Sequence, residues 1–354
     1  MEMKKNHKLK LMCLLAGVLI LSSCGRGAGE TKVVFTTGFG KDEVFRIANE
    51  TCKKNELMVY LTNIQNQYEQ VYGEAIWNVT LDGMTMEDNV KDTVLARIAQ
   101  IKTIYLMAKE KGIELDAVEE KKVSDAAREY FASLNQTEIN QMDITEDTIE
   151  KMYRQYALAD KAYQLIVGDV NPEISDDEAR IITVQQILIR TYVFDGNGNK
   201  ITYDETKKAE AYNKINEIRN LALDGEHEFL DLAANYSEDP NITYSFGKNE
   251  TEEAYEKIAF NLQTNEISEV VETSEGYYII KCVNTFDREE TDANKLKIVE
   301  QRKNDVFGKE YEAYVSNLIR DLNEKLWDEI NLIHDPGVTT TRFFEIYDQY
   351  FKEQ

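Results

Sequence analysis

Three histidines, four cysteines and three prolines are all that the 354 residues carry, and 41 basic side chains stand against 65 acidic ones. Each shortage removes a class of chemistry. His7, His227 and His334 are scattered, with no HExxH or CxxC spacing and no dense run of carboxylates, which argues against a metal enzyme and against a Ser-His-Asp hydrolase. Neither a metal nor a cofactor is expected. Cys13 and Cys24 lie near the N-terminus, leaving Cys52 and Cys282 in separate segments; two such thiols make no disulfide framework and read as small buried hydrophobes. A net charge of −24 opposes binding to nucleic acid or to anionic lipid surfaces. Long apolar runs are missing as well. The one at residues 11–21 has about eleven residues, against the roughly twenty that a membrane-spanning helix needs.

That run follows Lys4, Lys5, Lys8 and Lys10 and ends in Ser22 and Ser23, the layout of an export signal. Leu21-Ser22-Ser23-Cys24 resembles the lipobox of bacterial lipoproteins. The resemblance implies a signal peptide over residues 1–23, cleavage before Cys24, and lipid on that cysteine. Two or three acyl chains, at about 0.8 kcal/mol per buried CH₂, hold a protein on a membrane where one would not. Residues 24–30, with Gly25, Gly27 and Gly29, read as a flexible lipidated tether. Cleavage removes four lysines and Glu2, so the charge of −24 becomes −27. With 42% hydrophobic and 10% aromatic residues the chain is no disordered acidic tail, and it has room for two domains.

Periodicity divides the remainder. Residues 32–35 alternate like a short strand, and Gly38-Phe39-Gly40 turns the chain into a helix expected near Asp42, with helical pattern on to about Asn140. Thr85-Met86-Glu87-Asp88 caps a helix with Val90, Val94, Ile98, Ile101, Tyr105 and Ala108 on one face, ended by Gly112. Asp116 with Glu119 begins another that carries Val123, Ala126, Ala127 and Tyr130, and Thr145 opens a third that Gly168 closes. After Asn171-Pro172 the character changes. Residues 181–189 are a β-branched run, residues 195–199 are turn chemistry, helices are expected near 204–223 and 226–236, and strands near 269–272 and 277–283 joined by Ser274-Glu275-Gly276. From Asp287 the pattern is helical to about Ile330, with residues 343–347 as a docking helix. The expected fold class is α+β: a small antiparallel sheet with surrounding helices, residues 175–288, inserted between residues 31–172 and 289–354 of an all-α domain whose two pieces pack on each other.

Three stretches of the inserted unit carry a resemblance. They are Val184-Gln185-Gln186-Ile187-Leu188-Ile189; then Phe229-Leu230-Asp231-Leu232-Ala233-Ala234-Asn235-Tyr236-Ser237-Glu238-Asp239; then Ala259-Phe260-Asn261-Leu262 with Glu266-Ile267-Ser268-Glu269-Val270-Val271-Glu272-Thr273 and Gly276-Tyr277-Tyr278-Ile279-Ile280-Lys281. In that order and spacing the segment resembles the parvulin-type peptidyl-prolyl cis/trans isomerases. Lys41-Asp42-Glu43-Val44 and Ile144-Thr145-Glu146-Asp147 look like the N-terminal region of PrsA- and SurA-type foldases, which are exported, the PrsA types as lipoproteins.

The resemblance implies an extracytoplasmic, membrane-anchored foldase. Its partners are unfolded or folding exported polypeptides and, through Cys24, the outer face of the cell membrane; a homodimer is compatible with it, nucleic acid is not. It places Phe246, Tyr255 and Phe260 around a prolyl pocket, Asp239 where the family keeps cysteine or aspartate, and Thr273 on the family's threonine. Gln186 and Tyr278 stand where the family usually carries its two histidines, which orient each other and the central Cys or Asp by hydrogen bonds; glutamine and tyrosine are neutral donors and acceptors that can take that role. Tyr244-Ser245-Phe246-Gly247 replaces a Gly-Gly-Asp-Leu-Gly loop. Two functions follow: a working isomerase, or a parvulin domain that serves a non-enzymatic chaperone. Read without the resemblance, Tyr255 and Phe260 at helical spacing are core residues, Asp239 before Pro240 is a turn residue, and Gln186 satisfies backbone groups in a buried strand.

Overall fold

A computed structural model describes residues 38–81 and 83–352. The export signal, Cys24, the tether and the strand expected at 32–35 lie outside the described residues.

The first element is a correction. In place of a helix from Asp42, the chain makes a hairpin of β1 (Glu43–Ile47) and β2 (Glu50–Lys53) around Ala48, and the first long helix, α1 (Lys54–Tyr72), follows it. A second small hairpin, β3 (Thr80–Leu81) with β4 (Met84–Thr85), then delivers the chain into α2 (Met86–Glu110). The expected cap is present: the Thr85 hydroxyl accepts a hydrogen bond from the Asp88 N–H at 3.1 Å, and Val90, Val94, Ile98, Ile101 and Ala108 are buried. In α3 (Ala117–Ser133) Asp116 and Glu119 form a reciprocal capping box, which satisfies two N–H groups the helix leaves open. A short α4 (Gln136–Met142), absent from the periodicity reading, leads to α5 (Glu146–Val167), capped by Thr145.

After α6 (Asp176–Ala179) come β5 (Ile182–Arg190), the hairpin β6 (Tyr192–Phe194) and β7 (Lys200–Thr202), then α7 (Glu205–Leu223) and α8 (Phe229–Tyr236). They are followed by β8 (Thr243–Phe246), α9 (Glu253–Ala259), β9 (Val271–Glu272) and β10 (Gly276–Asn284). The sheet order is β8-β5-β10-β9 with every pair antiparallel. Because successive side chains of a strand point to opposite faces, the long strands β5 and β10 are apolar on both sides. Val184 and Leu188 join Phe246, Tyr255, Tyr278 and Ile280 on one face; Ile187 and Ile189 join Ile215, Phe229, Tyr277 and Ile279 on the other. The sheet is therefore covered twice, by α9 on the first face and by α7 and α8 on the second.

The long α10 (Arg288–Val315) leaves this unit and packs along both α6 and α5. Its start is tied to the sheet by Thr291, whose hydroxyl accepts from the Ile181 N–H at 3.1 Å. The helical pattern expected up to Ile330 is interrupted by β11 (Arg320–Leu322), which pairs with β1 in the register Phe45↔Leu322, before α11 (Glu324–Asp328). The helical flanks thus also share a three-stranded antiparallel sheet, β11-β1-β2. β11 comes from the opposite end of the chain to the β1–β2 hairpin, so no local window of sequence displays its pairing with β1. The last helix, α12 (Phe343–Phe351), docks as expected. Phe343 is fully buried, stacked 4.5 Å from Tyr153 and edge-on to Tyr130, and its carbonyl accepts from the Tyr153 hydroxyl at 2.7 Å. One hydrophobic core takes residues from α1, α2, α3, α5, α10 and α12. Cys52 and Cys282 are both free and buried. Among the described residues no helix is long and apolar enough to cross a membrane.

Candidate functional site

Gln186 faces the α9 side of the sheet, between Val184 and Leu188, and is only 3% exposed. A primary amide there needs partners for both ends. Its Nε2 donates to Asp239 Oδ2 at 3.0 Å and to the Asn241 carbonyl at 2.8 Å, while its Oε1 accepts from the Tyr255 hydroxyl at 2.7 Å. The Asn241 carbonyl and the Asp239 carboxylate, which can only accept, settle which way the amide points, and the tyrosine is left to donate to Oε1. Asp239 is held from its other side by a local turn: Oδ1 accepts from the Asn241 N–H at 2.9 Å, across Pro240, and the Ser237 hydroxyl accepts from the Asp239 N–H at 3.3 Å. Asp239 is a turn former and Gln186 satisfies a backbone carbonyl, yet the two side chains also meet.

Tyr255 projects from α9 beneath Tyr278 of β10, ring to ring at 5.1 Å and edge-on. The turn before β10 completes the wall. Thr273 donates its hydroxyl to the Gly276 carbonyl at 3.2 Å and accepts from the Glu275 N–H, and Glu252 at the head of α9 accepts from the Ser274 N–H and hydroxyl. Gly276 has φ +143°, and a Cβ there would sit 2.3 Å from the Ile189 carbonyl oxygen, so only glycine allows β10 to close against β5 at this point.

These residues enclose a cleft of about 460 Å³, within the usual range for small-ligand pockets. Gln186, Asp239, Tyr255, Thr273 and Tyr278 all line it. Phe246 and Phe260 do not: Phe246 is 2% exposed in the core behind, stacked on Tyr244 at 5.1 Å, and Phe260 lies edge-on to Phe246 at 5.6 Å under the Arg180 guanidinium. The four-residue step of α9 turns Tyr255 and Ala259 inward and leaves Phe260, one residue further, at the helix end. Sequence reasoning missed Tyr244, Asn241, Thr251, Glu252 and Glu275 as lining residues. For Tyr244 a signal existed, since it alternates with Phe246 along β8; the others sit in loops or at a helix cap, where side-chain direction depends on the surrounding fold.

The cleft sets the hydroxyls of Tyr244, Tyr255 and Tyr278 among the carboxylates of Asp239, Glu252 and Glu275. Burial raises the Tyr255 pKa far above the ordinary tyrosine value, and the nearby Tyr244, Tyr278 and Asp239 add to the shift. Burial, then Asp239, does the same for Tyr278, and burial raises Tyr244. All three remain protonated donors at any physiological pH. Among the described lining residues there is no serine, cysteine, lysine or histidine. The arrangement offers aromatic walls, hydrogen-bond donors and a fixed carboxylate, which suits recognition and electrostatic stabilisation rather than a covalent intermediate.

Residues 187–284 match the family model of the PPIC-type PPIase (rotamase) domain, a segment that begins one residue after Gln186. Among curated proteins the chain is similar to foldase protein PrsA 3 of Bacillus anthracis, 26% identical over 64% of this chain and 77% of that one. It is also similar to foldase protein PrsA of Halalkalibacterium halodurans, 25% identical over 55% of each. Among solved structures, the peptidylprolyl isomerase PrsA of Bacillus cereus aligns at 18% identity and a TM-score of 0.35, covering 76% of this chain and 97% of that one. Residues 187–284 are thus a parvulin domain of the PPIC type, set between helical N- and C-terminal segments in a chain similar to the PrsA foldases.

Proposed function

We propose that the chain is an extracytoplasmic foldase that accelerates cis/trans isomerisation of prolyl bonds in exported polypeptides and holds them while they fold. The observation that carries this reading is the convergence of Gln186, Asp239 and Tyr255 on one aromatic cleft inside the PPIC-type domain. Residues 175–288 would form the catalytic unit, and residues 31–172 with 289–354 the client-holding unit. Lipid on Cys24 would keep both at the outer face of the cell membrane.

Rotation about an X-Pro amide crosses a barrier of about 18–20 kcal/mol and takes tens of seconds unaided. A thousandfold acceleration requires about 4 kcal/mol of preferential binding to the twisted amide. Twisting ends the conjugation, so the proline nitrogen regains a lone pair that accepts a hydrogen bond. A neutral tyrosine hydroxyl can donate to it only in that state. Tyr278 and Tyr244 are the donors on the cleft wall, and raised pKa values keep their protons in place. In this scheme Tyr255, Gln186 and Asp239 are a chain of orienting bonds: the hydroxyl fixes the amide, and the amide fixes the carboxylate. Protease-coupled isomerisation of a short prolyl peptide tests it. Wild-type acceleration that Asp239→Ala lowers is the expected result; a wild-type chain with no acceleration rejects it.

The placement of Phe246 and Phe260 behind the cleft favours a second reading, in which the domain binds prolyl segments without turning them over. Under that reading the chain suppresses client aggregation while the peptide assay stays flat.

A further inference from the structure

The β6–β7 hairpin stands at the cleft rim with three large apolar side chains in water: Val193 is 47% exposed, Phe194 60% and Ile201 51%. The pairing Val193↔Ile201 puts those two on one face, and strand alternation puts Tyr192 and Phe194 on the other, with their rings 5.3 Å apart and edge-on. The second face is joined to the cleft. The Tyr192 hydroxyl donates to Glu275 Oε2 at 2.5 Å, Lys200 donates to Glu275 Oε1 at 2.9 Å and to the Ser274 carbonyl at 3.2 Å, and the Lys200 ammonium lies 3.9 Å from the centre of the Tyr192 ring. Glu275 itself lines the cleft. At the hairpin tip Asp195 Oδ1 accepts from the Asn197 and Asn199 N–H groups, so the turn is fixed as well. A large exposed phenylalanine on a well-braced hairpin, continuous with a binding cleft, marks a contact surface.

We propose that Phe194, backed edge-on by the buried Tyr192 ring, forms an aromatic shelf at the cleft rim that takes a large apolar side chain flanking the proline of an extended client polypeptide. This rests on the cleft being the prolyl site. The Tyr192 hydroxyl lies 2.5 Å from Glu275 Oε2 and the Tyr192 ring 5.3 Å from that of Phe194, which places Phe194 on the order of three residues of extended chain from Glu275 at about 3.3 Å each. A second copy of this chain is the weaker occupant. A stable interface buries about 800 Å² per partner, and one phenylalanine supplies 150–250 Å² at most.

The test uses the full chain and two labelled prolyl peptides that carry Phe or Ser at the third residue from the proline, in each direction. Binding is read by fluorescence anisotropy and isomerisation by the coupled assay. The wild type binds the Phe peptide about tenfold more tightly than the Ser peptide, the size expected from burying part of an aromatic ring. Phe194→Ser brings that ratio to about one, while Val193→Ser, on the opposite face, leaves it near ten. The shelf is overturned by a wild type without preference, by Phe194→Ser that keeps it, by Val193→Ser that loses it equally, or by a wild-type dimer in sedimentation that Phe194→Ser dissociates. Because the preference is read from binding, a wild type that prefers the Phe peptide but isomerises neither defeats the catalytic reading alone. One that isomerises both peptides with no preference defeats the shelf alone.

Discussion

Two buried polar networks of this molecule differ in the one respect that separates structure from function. In the helical region Lys102, 1% exposed, binds Glu56 at 2.6 Å and Gln155 at 2.9 Å with Glu50 at 3.6 Å, and Lys151 reaches Glu56 at 2.8 Å. Every partner there is another protein group, and the charges cancel in place. In the parvulin domain Gln186, Asp239 and Tyr255 form a largely neutral chain, and its members also face an open cleft. An ionic cluster centred on the buried Lys102–Glu56 pair holds the β1–β2 hairpin against α1, α2 and α5. A network with one carboxylate beside a cavity keeps hydrogen-bonding capacity for something that comes and goes. Removing a residue from the first should therefore cost stability, and removing one from the second should cost activity.

The largest effect is expected from Lys102→Met, which leaves Glu56 and Glu50 short of a counter-charge. Breaking a buried pair on one side costs about 3–5 kcal/mol, readable as a lowered midpoint in urea unfolding. Gln186→Ala is the matching change in the cleft. It removes the orienting amide, so kcat/KM for a prolyl peptide falls about ten- to hundredfold, or roughly 1.4–2.7 kcal/mol, with a smaller loss of stability than Lys102→Met. Equal losses of stability from the two changes would erase the distinction. A subtler comparison uses pH. Burial holds the tyrosines of both regions protonated: Tyr130 of the helical core is pushed up to about 12, and Tyr255 and Tyr278 higher still. Below the unfolded tyrosine pKa of about 10 both states carry the proton and nothing changes. Above it the unfolded chain ionises first, the folded state binds more protons, and stability falls as pH rises toward the folded values, by about 1.4 kcal/mol per unit for each tyrosine so held. The buried thiols of Cys52 and Cys282, also raised by burial, add the same decline above the unfolded thiol pKa of about 8.5, so unfolding free energy that is flat from about pH 6 to 8, declines beyond and steepens above about 10 is the expected profile; a profile still flat at about pH 11 contradicts it.

Local chemistry made much of this legible before any coordinates. Thr85, the Asp116–Glu119 pair and Thr145 announced three helix starts, because a capping side chain acts within four residues of itself. The β-branched run of β5 and the Ser274-Glu275-Gly276 turn were readable for the same reason, and the aromatic run 343–347 announced an apolar helix face that had to be covered, though not by which residues. What escaped was partly non-local. β11 looked helical because the partner that makes a strand of residues 320–322 lies at the other end of the chain, whereas the local β1–β2 hairpin, which turns at Ala48 without a glycine or proline, lacked a turn signal. The cleft was legible in Gln186, Asp239, Tyr255, Thr273 and Tyr278, whose motif spacing survives. It was not legible in Phe246 and Phe260, since whether an aromatic ring faces a cleft or backs it turns on a helix rotation of one residue.

The central claim, that the cleft of the parvulin domain works on prolyl bonds, meets its most direct test in the refolding of a protein whose slow phase is limited by proline isomerisation. With the chain from Gly25 onward added in catalytic amount, the slow phase shortens, and Asp239→Ala of unchanged thermal stability removes most of that gain. A slow phase untouched by the wild type, or shortened equally by Asp239→Ala, would contradict the account.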